Sequence, residues 1–287
     1  MQNKPSTPTV AILYIATGRY TIFWDYFYKS AEKYLLPDCQ KHYILFTDSQ
    51  TLMDQQSNYP NVTFVKQEAL EWPYSTLMRF KYFLNAKDII KAYDYTFYFN
   101  ANTEFLSCIT SMDLLPLKNN EKLSLCLQPH MFHRNNRNYT YDRNPQSLAY
   151  VAFNKGKHYF TGALNGGETE AYLKMCEQLN QNTEKDLQKN VVALWHDESH
   201  LNKFAIGRTD IKILPPYFTR GENEYWKNTS SIMFSDKTHF RFGGHAYLRS
   251  ETDDKITQFQ WETQNAKSRK RFTYRFKQYF KSLFFRQ

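Results

Sequence analysis

Val10-Ala11-Ile12-Leu13-Tyr14-Ile15-Ala16-Thr17-Gly18-Arg19 is an apolar run that breaks off into a small, polar, glycine-containing turn. An apolar run this short suits a buried strand, and the turn marks where it leaves its sheet. Immediately downstream, Phe23, Phe27, Ala31, Tyr34 and Leu35 recur at helical spacing over Tyr20–Leu35, and Pro37 stops the pattern. His42–Phe46, closed by Thr47-Asp48-Ser49, and Val62–Val65 read as two further short strands. Strands alternating with helices predict an α/β fold: a mostly parallel, Rossmann-like sheet with helices on its faces. Ligands of such sheets bind beyond the carboxyl ends of the strands, which places the 16–19 turn at a ligand edge.

Trp72–Lys91 reads as a second helical stretch, and Tyr95–Phe99 as an aromatic strand ending in Asn100-Ala101-Asn102. Extended backbone alternates sides, so both amides are expected to face the crevice; an Asx turn that simply closes the strand is the competing reading. Leu123–Leu127 is another strand, followed by a polar stretch over Pro129–Gln146 of a length that is usually functional or disordered. Four of the nine glycines fall between Gly156 and Gly167, which suggests close approach of backbone to a ligand. No Gly-Lys-Ser or Gly-Lys-Thr follows them, so a phosphate loop is a poor match. A helix over Glu168–Leu179 and a strand over Ile211–Leu214 complete the regular elements.

Trp195-His196-Asp197-Glu198-Ser199-His200-Leu201-Asn202-Lys203 gathers an aromatic, two acids and two histidines. The segment predicts a helix from about Asp197 through Ile206, with Leu201, Phe204 and Ala205 inward. Asp197 and Glu198 then lie in the first turn, where the helix dipole favours negative charge; they either face a cleft or only cap the helix. His196 and His200 have the spacing of two metal ligands on one face, but the glutamate is not at the metalloprotease position and no third ligand is evident.

The chain has 287 residues with 41% hydrophobic content, enough for a sizeable core. Aromatic content is 17%, with 23 Phe and 22 Tyr, which fits surfaces that are partly apolar and partly wet, sugar clefts among them. The four cysteines stand apart, so neither a zinc ribbon nor a disulfide framework is indicated and a reducing compartment is expected. The polar opening and the absence of any apolar run approaching ~18 residues give the expectation of a cytoplasmic, non-transmembrane protein.

Of the +9 formal charge, eight basic residues and no acid lie in 267–287, leaving +1 for the remainder. A nearly neutral body argues against a phosphate-tracking nucleic-acid surface. Phe272, Phe276, Tyr279, Phe280, Leu283 and Phe284 form one apolar face of a helix with Arg and Lys opposite. This predicts catalytic residues 1–250, a linker 251–266, and a tail 267–287 that lies on an anionic membrane surface. Upstream, Lys237, Arg241, His245 and Arg249 surround Gly243-Gly244, either as a segment closing over an anionic ligand or as a solvated loop.

Two segments, Tyr141-Asp142-Arg143-Asn144-Pro145-Gln146-Ser147-Leu148-Ala149-Tyr150 and Trp195–Lys203, resemble the family 6 glycosyltransferases, the histo-blood-group A and B transferase family. The likeness runs in the same order over roughly residues 10–249. It implies a GT-A fold and transfer of galactose or N-acetylgalactosamine from UDP, with retention, in α1,3 linkage to galactose. By that resemblance Ile15, Ala16, Thr17 and Tyr20 contact uridine, and Arg79 binds the donor. Gly162 and Ala163 lie where the family discriminates its two sugars, and the Ala163 methyl leans towards galactose. Asp197 is implied as a donor-sugar ligand and Glu198 as the catalytic carboxylate. Gln128, Trp195 and His245 are implied on the acceptor side. His245 and Arg249 match the closing segment over the diphosphate, with Lys237 as a partner.

The family's Asp-x-Asp is replaced here by Asn100-Ala101-Asn102. Neutral amides are weak ligands that cannot offset the charge of Mn²⁺, so donor binding without a metal or other cofactor is expected, as in bacterial members the sequence resembles. Arg79, Arg249 and Lys237 are the cations left to stabilise the diphosphate. The expected acceptor is a fucosylated galactose on a lipid-linked surface glycan such as lipopolysaccharide, at the inner face of the cell membrane. UDP-N-acetylgalactosamine as donor, and a non-catalytic nucleotide-sugar or glycan binder, are the alternatives.

Overall fold

The computed structural model describes residues 7–224 and 230–269. The six expected strands all form, with bounds within two residues of those expected. The strands are β1 (Thr9–Ile15), β2 (Gln40–Thr47), β3 (Val62–Lys66), β4 (Tyr95–Phe99), β5 (Thr103–Phe105), β6 (Leu123–Leu127), β7 (Phe160–Glu168), β8 (Ile211–Leu214), β9 (Arg220–Gly221) and β10 (Ile232–Phe234). Seven form one sheet in the order β3-β2-β1-β4-β7-β6-β8. All neighbours run parallel except β7, which is antiparallel to both β4 and β6. Strand order reverses beside β1, which pairs with β2 on one side and β4 on the other; a crevice opens at such a switch point. A small second sheet, β5-β10-β9, lies against the chain leaving β4.

One face of the sheet packs on helix Trp24–Tyr34, where the Tyr14 and Phe27 rings meet at a tilt with centroids 4.2 Å apart. The other face is covered by Arg79–Asn85 and Thr169–Gln188, with Phe83, Tyr98 and Tyr172 packed together.

Several elements depart from expectation. The Tyr20–Leu35 pattern divides into a 3-10 turn, Gly18–Phe23, and the helix Trp24–Tyr34. The Trp72–Lys91 stretch divides into Tyr74–Leu77, Arg79–Asn85 and Lys87–Ile90, because Met78 and Ala86 sit outside the helical basin with ψ of 9° and 14°. The helix expected to end at Leu179 continues to Gln188, since its buried face goes on through the polar Thr183 and Asp186, which apolar periodicity does not register.

The glycine-rich stretch is strand β7, so most of its glycines serve packing rather than a ligand. A Cβ on Gly166 would stand 2.3 Å from the Phe97 ring and 2.5 Å from the Thr96 carbonyl of the adjacent strand. The polar 129–146 stretch is ordered by a small separate core of Tyr139, Tyr141, Val151 and Tyr159. The expected linker contains a helix, Gln258–Arg269, whose Trp261 ring lies 4.1 Å from His239. Residues 270–287, most of the proposed membrane tail, lie outside the described residues. Among the described residues no helix is long and apolar enough to cross a membrane.

Candidate active site

The crevice at the β1/β4 switch is a cleft of about 240 Å³. Ile15, Thr17 and Tyr20 enter it from the end of β1, and Asn100 from the end of β4. Arg79 reaches it from the first turn of its helix, and Lys237, His245 and Arg249 cover it from the C-terminal segment. That segment turns through Gly243 and Gly244 at φ of 83° and 86°, where a side chain would strain the backbone. Ala16 is buried beside the cleft, its N–H donating to the Phe46 carbonyl at 2.9 Å.

Asn102 does not face the crevice, contrary to the alternation argument. The chain turns directly after β4, with the Thr103 N–H donating to the Asn100 carbonyl at 3.1 Å. Alternation holds only while the backbone stays extended, and the turn swings Asn102 into the second sheet. Its amide nitrogen donates to the Ser235 carbonyl at 2.7 Å, and its oxygen accepts from the Asn100 amide at 3.1 Å. The Asn100 oxygen accepts from Tyr98 Oη at 3.2 Å. Both amide oxygens are therefore engaged by neutral donors, a poor fit for a divalent cation. Among the described residues no cluster of three or more His, Cys, Asp or Glu side chains is arranged to hold a metal.

The Trp195–Lys203 cluster forms a helix, His196–Ala205, with Trp195 as its N-cap. Its acids reach beyond their own helix. Asp197 accepts from Arg79 Nη1 at 2.5 Å, and the same nitrogen donates to the Gly162 carbonyl at 2.8 Å. The Arg79 guanidinium lies 4.3 Å over the Tyr98 ring. Glu198 accepts from the Gly162 N–H at 2.8 Å on one oxygen and from Tyr159 Oη at 2.9 Å on the other. Arg79 thus joins the cleft to the carboxylate pair. Gly162 is glycine because a Cβ there would lie 2.9 Å from Asp197 Oδ2; Ala163 follows it, half-buried.

Asn202 explains the fixed pose of this helix. Its oxygen accepts from the Phe160 N–H at 2.8 Å, while its nitrogen donates to the Phe160 and Glu198 carbonyls, each at 2.8 Å. The start of β7 is thereby clamped to the helix one turn after Glu198. The Tyr141–Tyr150 segment is tied to the residue just before the cluster and to the preceding helix. Asp142 accepts from the Leu194 N–H at 2.8 Å, and Asp186 accepts from Ser147 Oγ at 2.7 Å and the Leu148 N–H at 2.9 Å.

Burial pushes the Glu198 carboxyl up to about 7, against the opposing pull of the Gly162 and Tyr159 hydrogen bonds. Burial likewise raises Asp197 to about 6, with the Arg79 charge working against it. Lys237 is lowered to about 8 by burial, then by the nearby Arg79 and Arg249 charges. His245 is lowered to about 4 by burial and by Arg249 and Lys237, so it is neutral at pH 7. Lys237 makes no ion pair among the described residues; its ammonium lies 5.3 Å from the Tyr20 ring. Arg249 lies 4.7 Å over Trp72. The cleft therefore presents basic groups to any anion that enters.

Of the residues expected on the acceptor side, Trp195 is 49% exposed at the helix start, and its neighbour His196 meets the Trp72 ring edge-on at 5.2 Å. Gln128 follows β6 and is tied through its N–H to the Tyr159 carbonyl at 2.9 Å. His245 lines the cleft with Lys237 and Arg249. Tyr159, Tyr98 and Asn202 are site-forming residues that the sequence reading missed. Asn202 lay inside the cluster already singled out, but the two tyrosines carry no local signal among so many others. His200 is wholly buried and 3.8 Å from Asp186, so the His196/His200 pair does not share a metal-facing surface.

A mostly parallel seven-stranded sheet with an antiparallel β7 and helices on both faces is consistent with the GT-A-like fold of glycosyltransferases. The Glycosyltransferase family 6 profile matches residues 2–237. The O-antigen biosynthesis glycosyltransferase WbnI of Escherichia coli is 35% identical over 195 residues, which are 68% of this chain and 81% of that protein. The globoside alpha-1,3-N-acetylgalactosaminyltransferase 1 of Mus musculus is 27% identical over 226 residues, 77% of this chain and 63% of the relative. The histo-blood group ABO system transferase 2 of Rattus norvegicus is 24% identical over 229 residues, 73% and 63%. The chain belongs to glycosyltransferase family 6 and is a hexosyltransferase, acting between a nucleotide-sugar donor and a glycan acceptor. The match covers 63% of the length of each of these two animal relatives.

Proposed function

We propose that the protein transfers galactose from UDP-galactose, with retention and without a metal ion, to form an α1,3 bond to a galactose, fucosylated or not, in a surface glycan. The observation that carries this reading is the Glu198 carboxylate, held from both sides next to the Asp197–Arg79 pair, whose arginine lines the cationic cleft. Uridine occupies the Ile15–Tyr20 end, the diphosphate lies against Lys237 and Arg249, and the sugar reaches Asp197. Glycosyl transfer passes through an oxocarbenium-like state, and a carboxylate beneath the anomeric carbon stabilises or attacks it; Glu198 takes that role. The cations stabilise the departing diphosphate, whose oxygen takes the acceptor's proton. Support for metal independence is the engagement of both Asn100 and Asn102 oxygens in neutral hydrogen bonds.

A second donor, UDP-N-acetylgalactosamine, is favoured by the name of the murine relative. The E. coli relative's role in O-antigen biosynthesis favours a lipid-linked acceptor, reached at the inner membrane face through the basic 267–287 segment. Exposed Leu70, Trp72, Leu194 and Trp195 near the cleft mouth suit such an acceptor. A non-catalytic binder would have no use for a carboxylate held this closely.

UDP release is measured from each donor with fucosylated lactose, in EDTA and again with Mn²⁺. Acceptor-dependent turnover in EDTA, falling about 100-fold or more in Glu198→Gln, is expected. Turnover only with Mn²⁺ refutes the metal reading, and an undiminished Glu198→Gln refutes the role of Glu198.

A further inference from the structure

Tyr159 stands immediately before β7, where it is 1% exposed. Its ring belongs to the small core that orders the 139–151 segment, 5.3 Å from the Tyr141 ring and 5.8 Å from Tyr139. Only its hydroxyl leaves that core. It lies 2.9 Å from Glu198 Oε1 and 3.4 Å from the Thr140 carbonyl. A phenol carries one hydrogen, so these two oxygens compete for it.

We propose that Tyr159 is a positioning residue for the Glu198 carboxylate, and that through the Thr140 carbonyl its hydroxyl couples the 139–151 segment to that carboxylate. The proposal rests on the reading of Glu198 as the group beneath the anomeric carbon. While Glu198 is ionised, the hydroxyl donates to it in a charge-assisted bond. Once Glu198 is protonated, its own O–H can donate to the phenol oxygen, and the phenol hydrogen turns to Thr140. The competition runs through geometry: 2.9 Å is a normal hydrogen-bond length and 3.4 Å a weak one, so the ionised form is preferred while the ring stays where it is. A shift of the 139–151 segment moves both the ring and the Thr140 carbonyl, and so changes the hold on Glu198. Without the phenol the carboxylate keeps the Gly162 N–H and the Thr161 hydroxyl, but loses the anchor that ties it to the 139–151 segment.

The charged groups facing Glu198 are Asp197 and Arg79, on its own helix and on the helix Arg79–Asn85. Tyr159→Phe touches neither and keeps the ring, so it isolates the hydroxyl. In the full-length protein, this variant is expected to lose kcat by about 10-fold or more, the worth of one hydrogen bond to a charged group. Donor KM should stay within about two-fold, because the donor-binding cleft is untouched. The acid limb of the kcat profile should move up by about one pH unit, since the bond favours the ionised carboxylate. Tyr159→3-fluorotyrosine, a stronger donor, should move the limb down.

Carboxyl titration by ¹³C NMR, with Glu198→Gln supplying the assignment, gives a readout independent of turnover. A Glu198 titration that is the same in Tyr159→Phe and wild type overturns the proposal. So does a variant that melts lower but keeps both kcat and its pH profile, because Tyr159 is then purely structural. Should Glu198→Gln retain full transfer, the catalytic reading fails, while the titration still decides whether Tyr159 governs the carboxylate.

Discussion

Replacing Arg79 by Met tests the buried pair that joins cleft to carboxylates, and it does so without assuming any substrate. Arg79 and Asp197 meet at 2.5 Å with side-chain exposures of 8% and 3%. Removing one partner leaves an uncompensated buried charge, which costs about 3–5 kcal/mol. The substitution also removes the bond to the Gly162 carbonyl and the stacking over Tyr98, while Met fills much of the space. The penalty depends on pH in a defined direction. Burial already raises the Asp197 carboxyl to about 6, and without Arg79 it rises further. A carboxyl raised above its unfolded value binds more protons in the folded state, so stability falls as pH climbs from the unfolded pKa of about 4 through the folded one. Urea unfolding at pH 8 should show the full deficit, and at pH 5, where Asp197 is protonated, a deficit smaller by about 2 kcal/mol or more. A loss below about 1 kcal/mol at pH 8, or the same loss at both pH values, would show that the pair is not buried as described.

Three further outcomes are expected. Lys237, lowered to about 8, loses its charge as pH rises through that value, so UDP affinity measured calorimetrically should weaken above pH 8, and Lys237→Arg should flatten that decline; parallel profiles would remove Lys237 from the diphosphate site. Gly166→Ala should cost about 2–3 kcal/mol and lower Tm by several degrees through overpacking against Phe97, whereas Gly221→Ala, whose Cβ meets nothing closer than 3.6 Å, should change it little; equal melts would refute the packing account. Changing the basic residues of 267–287 to Gln in the full chain should abolish sedimentation with anionic vesicles while transfer to soluble acceptors persists, and vesicle binding that survives the change would sink the membrane reading.

Much of the architecture is legible in local patterns. The apolar runs at 10–15, 42–46, 95–99, 123–127 and 211–214 are each strands within a residue or two, because short buried strands need continuous apolar side chains whatever their neighbours. Boundaries slipped where the buried face was polar. Thr183 and Asp186 continue a helix that periodicity ended at Leu179, and Asp186 is polar there because it holds the 147–148 backbone.

By itself the sequence determined the α/β class, the strand and turn at residues 10–19, and the helix that the Trp195–Lys203 cluster opens. Those features follow from residue type at fixed spacing, which the chain carries locally. Only the tertiary structure decided which groups the cluster meets. It brought Arg79 to Asp197 across 118 positions and Tyr159 to Glu198 across 39, and it turned Asn102 away from the cleft. Glycine served opposite ends in a single strand, admitting Asp197 beside Gly162 and Phe97 beside Gly166. Periodicity records whether a side chain is buried; what it is buried against depends on strand order and on where each turn redirects the chain, and those are settled only when the sheet assembles.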